Sequence, residues 1–178
     1  MKTVRLHDKE FEIFIDENEI NNIISKIANQ INDSKIEKPL FLAILNGSFL
    51  FAADLIRKIN VPDTEISFLK LSSYVGTSSK GSVDELIGLS KNIEGRNVIV
   101  LEDIIDTGIT LEKIMRLIKK EKVRSIRVAT LLFKPNSYQK NFNIDYIGKS
   151  IENDFVVGYG LDYNEKGRNL KKIYKLKN

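Results

Sequence analysis

Val98-Ile99-Val100-Leu101-Glu102-Asp103-Ile104-Ile105-Asp106-Thr107-Gly108-Ile109-Thr110 is the stretch that decides the fold of this chain. Residues 98–101 are continuously apolar, as in a strand buried on both faces of a parallel sheet. Adjacent carboxylates, Glu102 and Asp103, follow at its end. Asp106, Thr107, Gly108, Ile109 and Thr110 then lead into a helix with Leu111, Ile114, Met115 and Ile118 on one side. Ligands of open parallel sheets bind beyond the carboxyl ends of the strands. A helix start there offers unpaired N–H groups and a positive partial charge. Gly108 permits close backbone approach, and the Thr107 and Thr110 hydroxyls add donors. The combination makes an anion cradle, most simply for a phosphate monoester. A phosphate beside two carboxylates needs a neutral or cationic group between them. A ribose diol meets that need, and Mg²⁺ can join the same oxygens. The stretch therefore reads as a site for a ribose 5-phosphate. Its bland alternative is an acidic pair that merely caps a loop.

Working outward, strands and helices alternate. Residues 11–15 alternate apolar and charged side chains, like a half-buried strand. Asp16 and Glu19 form a capping box for a helix with Ile20, Ile23, Ile24, Ile27 and Ile31 on one face. Residues 40–45 make a buried strand that Asn46-Gly47-Ser48 breaks, and 49–59 read as a helix. Residues 66–71 are a strand, and 75–82, rich in Gly and Ser, are a loop. Further strands are expected at 83–89, 126–133 and 146–151. This alternation predicts an α/β fold with a parallel sheet flanked by helices. The chain reads as one domain, residues 1–178. Its N-terminal strand and C-terminal segments, about 1–16 and 152–178, are expected to form a small hood lobe.

Hydrophobic residues make up 42% and charged residues 29% of the 178, the balance of an ordinary globular chain. No apolar run approaches the ~20 residues of a membrane span, and the start lacks a signal-like apolar region. The absence of cysteine excludes disulfides, thiol nucleophiles and thiolate metal sites, and a cytoplasmic location is expected. Net charge is +4, with the excess mainly in residues 166–177. Nucleic-acid binding is disfavoured, and a solvated tail is the expectation there. His7, the only histidine, is expected at the surface. The acidic stretch is not a Walker loop, and Gly158-Tyr159-Gly160 lacks the third glycine of a dinucleotide fingerprint.

Residues 98–108 resemble the phosphoribosyl pyrophosphate motif of the type I phosphoribosyltransferases. More narrowly they are similar to the hypoxanthine/guanine (6-oxopurine) members. Other segments agree in order. Leu45-Asn46-Gly47-Ser48-Phe49 resembles the family's pyrophosphate loop, and Ser72-Ser73-Tyr74 with 75–82 resembles its flexible catalytic loop. Lys134 and the run from Asp154 to Glu165 resemble the purine site. Arg168 falls where the family has a pyrophosphate-contacting arginine.

The resemblance implies a Mg²⁺-dependent purine salvage transferase. It would convert hypoxanthine or guanine and phosphoribosyl pyrophosphate to IMP or GMP and pyrophosphate. It assigns Asp106 as the general base at purine N7 and Lys134 as donor to the 6-oxo group. Glu102, Asp103, Asp106, Thr107, Gly108, Ile109 and Thr110 would hold the ribose phosphate. Asn46, Gly47 and Arg168 would meet pyrophosphate, and Phe155, Val156 and Asp162 the purine. Ser73 and Tyr74 would close over the site. Glu102, Asp103 and Asp162 are the implied metal ligands. A homo-oligomer, dimer or tetramer, is expected. Two departures stand out: Asn46 where many relatives carry Arg or Lys, and Ile109 where some are basic. The alternatives are a xanthine-preferring enzyme of the same fold and a nucleotide-sensing regulator that binds RNA or DNA.

Overall fold

The apolar runs of the sequence become the centre of a six-stranded sheet. The computed structural model describes residues 3–71, 85–87 and 92–177. In chain order the elements are β1 (Thr3–Leu6), β2 (Lys9–Ile15), α1 (Glu17–Asp33), β3 (Pro39–Ile44), α2 (Phe49–Ile56), β4 (Glu65–Leu71) and β5 (Glu85–Ile87). They continue with β6 (Asn97–Ile105), α3 (Ile109–Lys120), β7 (Ser125–Phe133), β8 (Tyr146–Ser150), β9 (Val156–Val157) and β10 (Ile173–Leu176). The large sheet runs β5-β4-β3-β6-β7-β8. Five of its strands are parallel, and β5 adds an antiparallel edge on β4.

Strand order reverses between β3 and β6. From β3 the chain moves outward to β4 on one side, and from β6 it moves to β7 and β8 on the other. A sheet of this kind opens a crevice at such a switch point, beyond the carboxyl ends of the two strands. The 46–48 loop lies just beyond the end of β3, and Asp106, Thr107 and Gly108 follow the end of β6, whose last residues include Glu102 and Asp103.

Asp16 caps α1, its Oδ1 accepting from Glu19 N–H at 2.9 Å. The helix buries Ile20, Ile23, Ile24, Ile27 and Ile31 against one face of the sheet, together with α2. The other face is covered by Leu111, Ile114, Met115 and Ile118 of α3. A second sheet, β1-β2-β10-β9, carries its own cluster around Phe11, Val157 and Tyr174.

Several elements differ from the sequence expectation. β6 does not end at Glu102: it runs to Ile105, because Ile104 and Ile105 still pair with Leu132 and Phe133 of β7. α2 stops at Ile56, three residues early. The basic tail is not simply solvated. Residues 173–176 lie between β2 and β9, with Ile173 and Tyr174 buried. β1 was not anticipated; it forms a hairpin with β2 around an exposed His7. Ser73, Tyr74 and the 75–82 loop lie outside the described residues, as do parts of the 83–89 stretch.

Candidate active site

A cleft of about 330 Å³ opens at the switch point. It is lined by Ile44, Leu45 and Gly47 from the end of β3 and by residues 102–111 from the end of β6 into α3. The structure thus brings Glu102, Asp103, Asp106, Thr107, Gly108, Ile109 and Thr110 into one pocket with Gly47. Asn46 is exposed and is not among the lining residues, and the Leu45–Asn46 peptide is cis.

Gly108 makes the turn from strand to helix. Its φ of 82° is left-handed, the conformation glycine adopts without a Cβ penalty. Gly108 is itself the N-cap, with no side-chain cap bond. Thr107 Oγ1 accepts only a long bond of 3.4 Å from Ile109 N–H. The first N–H groups of α3 are therefore left for a ligand. Behind the turn lies the chain that follows β7. A Cβ on Gly108 would sit 2.5 Å from Tyr138 Cε2, and Gln139 N–H donates to the Thr107 carbonyl at 3.2 Å.

Because successive strand residues point to opposite faces, Glu102 and Asp103 diverge. Glu102 is buried beside fully buried Thr130 of β7. Burial, then the neighbouring Asp103, pushes its carboxyl well above the ordinary range. Asp103 faces the 46–48 loop so closely that a Cβ on Gly47 would fall 1.7 Å from Asp103 Oδ2. Any side chain at position 47 would displace the Asp103 carboxyl. Burial raises Asp103 to about 6; backbone N–H groups and Arg168 oppose the rise, and Asp162 adds to it. Two desolvated carboxylates at the mouth of one cleft are a set of hard oxygen donors that favours a cation. Among the described residues no three acidic or histidine side chains cluster as a ready-made metal cage.

Lys134, just past β7, is buried, and its Nζ donates to Asp106 Oδ2 at 2.8 Å. The two sequence candidates for base handling are thus in direct contact. Phe155 is 41% exposed, with Tyr163 edge-on at 5.6 Å between ring centroids and Phe11 behind it at 6.0 Å. Val156 is buried in β9. Asp162 Oδ1 pairs with Arg168 Nη2 at 2.7 Å, and Asp162 Oδ2 accepts from Glu165 N–H. Arg168 Nη1 also donates to the Gly160 carbonyl at 2.8 Å. Sequence reasoning missed Tyr138, which backs Gly108, and Lys9, whose ammonium lies 5.8 Å from the Phe155 ring centroid. Neither contact has a local signal, since each joins segments distant in sequence.

A helix start without a side-chain cap and an acidic strand end meet at a parallel-sheet switch point, the place where open α/β sheets bind their ligands. Residues 15–164 match the phosphoribosyl transferase domain, and the chain belongs to that family. It is 41% identical over 174 residues, 97% of both chains, to a hypoxanthine-guanine phosphoribosyltransferase of Staphylococcus aureus strain Mu50. The fold is similar to that of a hypoxanthine-guanine phosphoribosyltransferase from Bacillus anthracis. That likeness has a TM-score of 0.84 and 39% identity, covering 92% of this chain and 97% of the other. A Trypanosoma cruzi hypoxanthine phosphoribosyl transferase is similar with a TM-score of 0.85 and 34% identity, covering 98% and 95%.

Proposed function

We propose that this protein moves the 5-phosphoribosyl group of phosphoribosyl pyrophosphate onto N9 of hypoxanthine or guanine. IMP or GMP and pyrophosphate are the products. The observation that carries the reading is the single cleft joining the 102–111 cradle to Gly47, with the Asp106–Lys134 pair beside it.

In the proposed reaction the C1′–O bond to pyrophosphate breaks and its electron pair leaves with pyrophosphate. The N9 lone pair closes on C1′, and the N7 proton passes to the Asp106 carboxylate. Asp106 also favours the positive charge that develops on the sugar. The N–H groups at the start of α3, with Thr107 and Thr110, hold the 5-phosphate. Glu102 and Asp103 accept from the ribose hydroxyls. Gly47 N–H and Arg168 meet pyrophosphate, and Asn46 contributes no charge there.

N7 and O6 are neighbours on one purine edge, and Asp106, which lines the cleft, is hydrogen-bonded to the buried Lys134 behind it. An ammonium has three donors, so Lys134 can keep Asp106 and still donate to a 6-oxo group. Adenine presents an amine there and would leave that donor opposed. Phe155 supplies a face for stacking, and the backbone of Val156 and Asp162 meets the far edge of the base.

The oxygen-rich, desolvated pair Glu102 and Asp103 fits Mg²⁺ and its waters, and Asp162 would help to hold a second ion on pyrophosphate. Bound there, the ion would neutralise charge on the ribose and pyrophosphate oxygens. A cytoplasmic homo-oligomer, dimer or tetramer, completes the proposal. Among the described residues no helix is long and apolar enough to cross a membrane.

The test is nucleotide formation with Mg²⁺, phosphoribosyl pyrophosphate and, separately, hypoxanthine, guanine, xanthine and adenine. Turnover of the oxopurines with adenine rejected by ~10⁴ is expected. No turnover of any oxopurine ends the reading, and efficient adenine use removes the role of Lys134. Asp106→Asn should lower turnover by ~10²–10⁴ while phosphoribosyl pyrophosphate still binds. Calorimetry beside the rate assay separates the two.

A further inference from the structure

A second cavity of about 330 Å³ lies where α1, the first turns of α2 and the C-terminal segment meet. Into it project Tyr159 and Asp54. Tyr159 Oη donates to Asp54 Oδ2 at 2.5 Å, with the Leu50 carbonyl oxygen 3.4 Å away. Burial and this carboxylate both push the Tyr159 hydroxyl far above its ordinary value, so it stays a donor.

The backbone around Tyr159 is unusual. Gly158, Tyr159 and Gly160 have φ of 98°, 50° and 98°, three left-handed residues in succession. For tyrosine this conformation is unfavourable and persists only where its surroundings hold it. The run is wedged between two other segments. A Cβ on Gly158 would lie 2.1 Å from the Lys172 carbonyl oxygen, and one on Gly160 would lie 2.1 Å from the Gly47 carbonyl oxygen. Gly160 is also bonded twice to Arg168, through its carbonyl to Nη1 and through its N–H to the Arg168 carbonyl at 3.0 Å. Gly160 is therefore the point at which the 46–48 loop and Arg168 meet. Asp54 stands on α2, the helix into which that loop runs. The Tyr159–Asp54 bond ties both sides of the contact to one rigid element.

We propose that Tyr159 and Asp54 are positioning residues for the pyrophosphate subsite. Their bond presses Gly160 onto Gly47 and so sets the spacing between the Gly47 N–H and Arg168. Neither side chain touches substrate. The inference rests on the phosphoribosyl-transfer reading, and it explains how a loop with the uncharged Asn46 is kept in register. The ring supplies packing; the hydroxyl and carboxylate add direction.

Tyr159→Phe keeps the ring and removes the bond. It should raise KM for phosphoribosyl pyrophosphate, and KM for pyrophosphate in the reverse reaction, roughly tenfold, the effect of one lost charge-assisted bond. KM for hypoxanthine should stay within about twofold. Asp54→Asn keeps an acceptor for the hydroxyl and should behave nearly as the parent, whereas Asp54→Leu should match Tyr159→Phe. The double variant Tyr159→Phe/Asp54→Leu should be no worse than either single one. A lower melting temperature with both KM values unchanged marks a structural bond only and overturns the proposal, as do equal rises in both KM values. If Tyr159→Phe does not fold, the contrast between Asp54→Asn and Asp54→Leu decides. Should the parent protein turn over no oxopurine, the functional reading fails instead. The positioning claim is then read from the calorimetric affinity for phosphoribosyl pyrophosphate, which the same variants should weaken about tenfold.

Discussion

Asp103 holds a proton near pH 6 because burial disfavours its charge, against 3.8 for an ordinary aspartate. A folded-state value above the unfolded one means the folded protein binds this proton more tightly. The stabilisation is full at the acid end and is lost as pH rises from about 4 through about 6. Above that, an ionised Asp103 burdens the ligand-free protein. Asp103→Asn should therefore stabilise it at pH 7.5 by roughly 1–3 kcal/mol, with the gain shrinking towards pH 4.5. Urea titrations at the two pH values check this; an equal gain at both would refute burial as the cause. The same variant should lose turnover, since a neutral amide cannot serve a cation and a ribose diol as a carboxylate does. Stability and function pull in opposite directions at this residue.

The turn between β6 and α3 depends on a partner from another element. Gly108→Ala meets a left-handed φ of 82° and a crowded Cβ position, 2.5 Å from the Tyr138 ring and 2.8 Å from Lys140 Cγ. The first alone costs ~1–2 kcal/mol. Thermal melts and phosphate-ester binding should both weaken. Adding Tyr138→Ala should restore part of the loss, because it relieves the closest clash but neither the Lys140 contact nor the dihedral. No recovery in the double variant would show that Tyr138 does not back the cradle. Legibility also differs by element. α1 was plain because its five isoleucines repeat at helical spacing and Asp16 caps it. The end of β6 is not legible locally: Glu102 and Asp103 look like a strand terminus, whereas pairing to β7 carries the strand past them. β10 lies hidden in a run of lysines: Ile173 joins the main core, while Tyr174 and Leu176 pack with the cluster of the small sheet.

Across the molecule, the proposed phosphate cradle belongs to the large sheet and the proposed base platform to the small one. Phe11 of β2 is fully buried and packs behind Phe155 and Tyr163, with ring centroids 6.0 and 6.2 Å away. Phe11→Ala should cost ~3–5 kcal/mol in chemical denaturation. It should raise KM for hypoxanthine while leaving the affinity for phosphoribosyl pyrophosphate close to that of the parent. Equal loss of both would mean that the two sheets do not divide the work in this way.

By itself the sequence determined the α/β alternation, the family and the strand–loop–helix junction at residues 98–110. Those features are written in local pattern: periodicity, a cap, a glycine at a turn and acids at a strand end. The tertiary structure alone decided the reversal of strand order, the Asp106–Lys134 contact and the closeness of Gly47 to Asp103. It also decided the wedge of Gly160 against the loop. The physical reason is separation along the chain. Each of these contacts joins segments that no spacing rule connects, and each forms only because the sheet packs their ends together.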